Sequence, residues 1–137
     1  MNQGPSLHAS LRDAAVAVAA VARGRSLASG YPKAGAAEAP SSRAALLDFV
    51  HGTLRAYGRM PAITRALAAK GEIDPSVEAL LWCSLYALES GRYADYAVVD
   101  QSVRACEALG KAQAKGFVNA LLRRYLRERT SLEATIA

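Results

Sequence analysis

Apolar residues recur every three or four positions along much of this chain, which is the spacing of a helix with one buried face. The clearest example starts at Asp74 and Pro75 and continues through the apolar positions Val77, Leu80, Leu81, Leu85 and Leu88. Aspartate is a favourable N-cap residue, and proline is tolerated in the first turn of a helix. We therefore predict a helix that begins at Pro75 and lies at the centre of the fold.

The same spacing predicts five further helices, most of them followed by a glycine. They cover residues 7–23, residues 43–57, a short segment that starts near Pro61, a segment capped by Asp95, and a last helix that starts near Lys115. Glycine readily adopts the left-handed conformation that ends many helices. The glycines at these ends are Gly24, Gly58, Gly71, Gly91 and Gly110. The pattern predicts an all-α bundle of about six helices in a single domain.

Two segments stand apart from this helical pattern. Residues 25–42 are rich in glycine, serine, alanine and proline without a sustained period, so we expect a flexible loop there. We place the domain at residues 1–129 and expect residues 130–137 to be a tail. Because this tail keeps apolar residues at Leu132 and Ile136, we expect it to start a linker to a further domain.

The charge of the chain is concentrated in its last predicted helix. Seventeen lysines and arginines against twelve acidic residues give a net charge of +5, which favours acidic partners such as nucleic acid. Between Lys111 and Arg129 there are six cations and one anion, Glu128. This single segment therefore carries a net charge equal to that of the whole chain.

Helical spacing separates that segment into a polar face and an apolar face. Lys115, Asn119, Arg123 and Arg127 lie four residues apart and form one stripe, which we call the basic ridge. The opposite face consists of Phe117, Val118, Leu121, Leu122 and Tyr125 and is predicted to face the core. We predict that the basic ridge binds RNA phosphates, with Lys111 and Arg124 as further cationic contacts. Phe117 and Tyr125 are candidates for base stacking, although core packing is the simpler role for both.

No catalytic, metal or cofactor site is predicted in this chain. Cys83 and Cys106 lie in apolar helical segments, so we expect buried structural thiols. His8 and His51 lack acidic or cysteine neighbours at the spacing of metal ligands. No glycine-rich strand-to-helix turn is present that would hold a nucleotide or S-adenosylmethionine. The apolar stretch at residues 14–22 is too short to span a membrane, and we expect a cytoplasmic protein.

Several segments resemble one family. The string GFVNALLRRYLRER at residues 116–129 resembles the last helix of the NusB-like domain, an all-α RNA-binding module of bacterial transcription and ribosome-maturation proteins. FVHGTLR at residues 49–55 resembles the second helix of that domain, DPSV at residues 74–77 the fourth, and VVDQSV at residues 98–103 the fifth. The resemblance extends from Leu46 onward and implies the same helical fold and an RNA-binding role.

Two groups of proteins in this family are relevant. One group consists of free-standing antitermination factors, which bind leader RNA together with a ribosomal protein. The other consists of N-terminal domains of methyltransferases that modify a cytosine at C5 in 16S ribosomal RNA. The arginine-rich segment at residues 121–129, together with Arg55 and Arg59, resembles the second group. A first helix with Arg12 as its only arginine before Ala22 also departs from the arginine-rich start of the free-standing factors.

The resemblance therefore implies a non-catalytic domain that helps a methyltransferase hold 16S ribosomal RNA. S-adenosylmethionine and the catalytic cysteines are then expected in a C-terminal domain outside this chain. Lys115 and Phe117 match the family positions at the entrance of the last helix and are implied RNA contacts. Two alternatives stay open, an antitermination factor and a module whose basic face docks on its own methyltransferase domain or on a second copy. The sequence does not decide whether the chain forms homo-oligomers.

Overall fold

A computed structural model describes residues 6–24, 40–68 and 71–136 of the chain. These residues form six α-helices and one short 3₁₀ helix, with no strand among them. The elements are α1 (Leu7–Ala22), α2 (Pro40–Arg55), α3 (Arg59–Ala68), α4 (Pro75–Ser90), α5 (Asp95–Ala108), the 3₁₀ helix (Ala112–Ala114) and α6 (Lys115–Ile136). The prediction of an all-α bundle is confirmed.

Helix α4 is the centre of the bundle, as its apolar pattern predicts. It packs against α1, α2, α3, α5 and α6, and ten of its sixteen residues are buried. The Asp74 carboxylate caps it by accepting hydrogen bonds from the N–H groups of Ser76 at 2.8 Å and Val77 at 3.4 Å. Gly91, with φ of 72°, ends it in the left-handed conformation. Both ends of α4 are therefore set by the residues that the sequence singles out.

A buried pair of serines joins α4 to α5. The Ser84 and Ser102 hydroxyl oxygens lie 2.7 Å apart, and the Ser84 hydroxyl also donates to the Leu80 carbonyl at 2.8 Å. Both side chains are fully buried, where an unpaired hydroxyl would cost free energy. The pair therefore helps to hold α5 against the core.

The observed helices differ from the predicted ones at several boundaries. Helix α2 begins at Pro40 rather than near residue 43, and α3 begins at Arg59 rather than at Pro61. Proline has no backbone N–H, and it is tolerated in the first turn of both helices because an N–H group there has no partner within the helix. The prediction that Asp95 caps α5 is wrong, since Ala94 takes the N-cap position without a side-chain hydrogen bond. Asp95 is instead the first residue of α5 and pairs with Arg129.

The predicted loop and tail are only partly covered by these elements. Residues 25–39 of the predicted loop lie outside the described residues, while the rest of it belongs to the start of α2. Helix α6 continues through Ile136, so most of the predicted tail is helical backbone. Its role as the start of a linker stays a prediction.

A glycine in α2 lies against an aromatic ring from α4. A Cβ added at Gly52 would overlap the ring atoms of Tyr86. That ring is held in place because its hydroxyl donates to Asp48 Oδ1 at 2.8 Å, and Arg92 pairs with Asp48 Oδ2 at 2.9 Å. The close approach of α2 and α4 therefore requires a residue without a side chain at this position.

We predict that Gly52→Ala lowers the free energy of unfolding by about 1–3 kcal/mol, the usual range for overpacking a core. This loss outweighs the gain of roughly 0.5–1 kcal/mol that alanine brings to a helix interior. Urea denaturation measures the difference. Gly58→Ala is the matched control, because a Cβ there meets no atom within 4 Å. A Gly52→Ala protein as stable as the wild type would show that moving the ring of Tyr86 aside costs no more than the gain in helix propensity.

Candidate nucleic-acid interface

Helices α5 and α6 lie side by side and run antiparallel. Lys115 at the start of α6 pairs with Glu107 near the end of α5, with Nζ 3.5 Å from Oε2. Arg129, fourteen residues further along α6, donates to Asp95 Oδ2 at the start of α5, at 2.9 Å. The two ion pairs therefore lie at opposite ends of α5. The surface between them extends along α6 from Lys115 to Arg129.

The basic ridge borders a groove between these two helices. Lys115, Asn119 and Arg123 all line it, and its volume is about 360 Å³. Arg123 Nε donates to Asn119 Oδ1 at 3.1 Å, so these two side chains support each other along the helix. Arg127 is exposed one turn further on. The structure thus brings three of the four ridge residues into one concave surface.

The opposite face of α6 packs as predicted except at one residue. Val118, Leu121, Leu122 and Tyr125 are buried, which removes Tyr125 from consideration as a stacking surface. The prediction that Phe117 faces the core is wrong, because 39% of its surface is exposed. Phe117 lines a second groove, of about 370 Å³, together with residues 72–74 of the loop before α4 and Val77 of α4 itself.

The other cations of this segment hold the bundle together. Lys111 Nζ lies 2.8 Å from Asp74 Oδ2, and its hydrogen bond lowers the pKa of that carboxyl group against the opposing effect of burial. Arg124 donates from Nε to Glu128 and from Nη1 to the Leu67 carbonyl at the end of α3, at 3.0 and 2.9 Å. Neither Lys111 nor Arg124 lines the groove that holds the basic ridge. Their RNA contacts stay a prediction.

The groove also contains an aromatic residue that the sequence analysis did not select. Tyr96 is 80% exposed and lies in the first turn of α5, on the opposite side of the groove from the basic ridge. Tyr96 precedes Asp100 by four residues and Val103 by seven, and both of these residues line the same groove. This spacing places all three on one face of a helix, so it could have identified Tyr96 if the start of α5 had been known.

The described residues include neither a cluster of metal ligands nor an exposed thiol. No three histidine, cysteine, aspartate or glutamate side chains among them come together as metal ligands. Burial raises the pKa of the Cys83 thiol to about 12, and burial likewise raises the pKa of Cys106. Within the described parts of the chain, no helix has the length and apolar character needed to cross a membrane.

The sequence of the chain was compared with protein-family models and with known proteins. The model of the NusB family matches residues 12–127. The chain is 32% identical to ribosomal RNA small subunit methyltransferase B of Vibrio vulnificus over 116 residues, which cover 82% of this chain and 27% of that protein. It is 36% identical to the protein of that name from Pseudomonas putida over 124 residues, covering 88% of this chain and 28% of the relative. The chain therefore spans little more than a quarter of the length of these relatives.

We predict that two neighbouring arginines of α6 differ in their effect on stability. Arg124→Gln removes the hydrogen bond to the Leu67 carbonyl and should lower the free energy of unfolding by about 1 kcal/mol. Arg123→Gln, whose side chain is exposed, should change it by less than about 0.5 kcal/mol. Urea midpoints of both variants measure the contrast. Equal midpoints would mean that the link between α3 and α6 contributes nothing in solution.

We also predict that Cys83 is unreactive in the folded protein. In a Cys106→Ser background, its reaction with Ellman's reagent at pH 8 should be more than about a hundredfold slower than after unfolding in urea, because the thiolate is the reactive form. The raised pKa favours the folded state below pH 9, and this contribution declines as the pH rises from about 9 towards 12. Fast reaction of the folded protein would contradict the buried position of this thiol.

Proposed function

The chain belongs to the NusB family, and we propose that it is the non-catalytic RNA-binding domain of a ribosomal RNA small subunit methyltransferase. Its relatives are named as such enzymes, and the chain matches only a part of each. In this proposal the domain binds 16S ribosomal RNA, and the parent enzyme methylates a cytosine at C5. The methyl transfer itself takes place in another domain of the same protein.

The observation that carries this proposal is the groove that brings the basic ridge together. Lys115 and Arg123 place two cations on one rim, and Arg127 extends the line of positive charge along α6. Cations spaced along one helix face neutralise successive phosphates of an RNA strand and release their counterions. Asn119 adds a neutral hydrogen-bonding group between them. Such a surface binds and orients RNA without taking part in a reaction.

The described residues of this chain do not form a cofactor site at a turn between a strand and a helix. S-adenosylmethionine is commonly held at a turn between a strand and a helix, and the described residues include no strand. The two thiols are buried. We therefore derive no methyl-transfer step from this chain, and we assign S-adenosylmethionine and the catalytic residues to the other domain of the proposed parent enzyme.

We predict salt-sensitive binding of this chain to a labelled 16S ribosomal RNA hairpin, measured by fluorescence anisotropy. If Lys115, Arg123 and Arg127 each reach a phosphate, the slope of log affinity against log salt should be about −2 to −3. Arg123→Gln and Arg127→Gln should each weaken binding and reduce the slope by about one. Circular dichroism checks that each variant stays folded.

The matched control for these variants is Arg55→Gln. Arg55 is also an exposed arginine, but it lies at the end of α2, which packs against α1 and α4. The proposal predicts that its removal leaves the slope unchanged. An equal effect of all three substitutions would indicate non-specific attraction by net charge. Tighter binding to an antitermination leader RNA would favour a transcription factor instead, and no binding to either RNA would favour a protein-docking surface.

A further inference from the structure

The groove between α5 and α6 has two chemically different sides. Its α6 side is basic and polar and consists of Lys115, Gly116, Asn119 and Arg123. Its α5 side is aromatic, apolar and acidic and consists of Tyr96, Val99, Asp100 and Val103. A nucleotide has the same division, since its phosphate is anionic and the faces of its base are flat and apolar. A nucleotide therefore matches the groove when its phosphate lies on the α6 side and its base lies on the α5 side.

Tyr96 is unusual among the large apolar side chains of the described residues. It is 80% exposed, whereas the next most exposed, Val16, Tyr57 and Phe117, are 39–42% exposed. Tyr57 also has an aromatic partner, because its ring lies edge-on to Trp82 with centroids 5.3 Å apart. An aromatic ring exposed beside cations is the arrangement that proteins use to stack nucleic-acid bases.

The surroundings of Tyr96 favour a base over a phosphate on this side. Val99 is almost fully buried and Val103 is half-buried, so they provide an apolar floor next to the ring. The Asp100 carboxylate repels a phosphate from α5. Its ion pair with Arg104 is long and exposed, with Nε 3.6 Å from Oδ2, and Gln101 Nε2 donates to the same oxygen at 3.0 Å. The backbone of a bound strand is therefore directed toward α6.

We infer that this groove is a subsite for one unpaired RNA base, which stacks on Tyr96 while Lys115 and Arg123 hold successive phosphates of the same strand. The base is unpaired because a base within a duplex already stacks on its neighbours and offers no free face. This inference rests on the proposed function and deepens it, since it names the form of RNA that the groove accepts and the residue that recognises it.

A comparison of three proteins and two ligands tests the subsite. The ligands are a labelled uridine hexanucleotide and a hexamer of the same ribose-phosphate backbone without bases. Their affinities are measured by fluorescence anisotropy at low and moderate salt for the wild type, Tyr96→Phe and Tyr96→Leu. Leucine keeps apolar bulk but removes the aromatic face, and the exposure of Tyr96 makes either substitution compatible with folding, as thermal unfolding checks.

The subsite predicts that the wild type and Tyr96→Phe bind the uridine ligand about tenfold or more tightly than the abasic one. In Tyr96→Leu this preference should fall by about fivefold or more, with little change in affinity for the abasic ligand. An unchanged preference in Tyr96→Leu overturns the subsite but leaves the proposed function intact, provided that binding stays salt-sensitive. Absence of salt-sensitive binding of the wild type to both ligands overturns the proposed function as well.

Discussion

The burial of α4 by the other five helices is the constraint on which the rest of the structure depends. Each large apolar side chain removed from water there contributes roughly 1.5–3 kcal/mol, and α4 can be buried on all sides only if every other helix presents an apolar face to the bundle. For α6 that face is the row from Val118 to Tyr125. The side of α6 that carries the basic ridge is thereby left facing away from the core.

This constraint also separates the cations of α6 that bind neighbouring helices from those that face the groove. Arg124 and Arg129 lie near neighbouring helices and donate to the Leu67 carbonyl and to Asp95. Lys115 faces the groove, and its pair with Glu107 is at 3.5 Å between partly exposed groups. Exposed ion pairs of this kind contribute less than about 1 kcal/mol. Lys115 can therefore exchange its carboxylate partner for a phosphate at little cost, which Arg124 cannot.

Most of the fold could be predicted from the sequence because helical spacing is a property of a single segment. The limits of α4 followed from Asp74, Pro75 and Gly91, which act within one turn of their own positions. The errors at Phe117 and Asp95 have a different origin. Whether Phe117 is covered depends on where the loop before α4 passes, and Asp95 takes its partner from α6, 34 residues away. Spacing within one helix contains no information about such neighbours.

The candidate site shows the same limit. The basic ridge was predictable because its four residues share one helix face, whereas Tyr96 became a candidate only when the antiparallel packing of α5 and α6 placed it across from them. The site is therefore formed by residues of two helices, and its composition depends on how they pack.

The proposed binding surface is small, with a few phosphate contacts and one base, so its affinity alone is modest. Joined to a catalytic domain that holds the same RNA, such a surface acts at a high effective concentration. In the proposed parent enzyme its main contribution is to fix the position of the RNA, a role that depends on how α5 packs against α6.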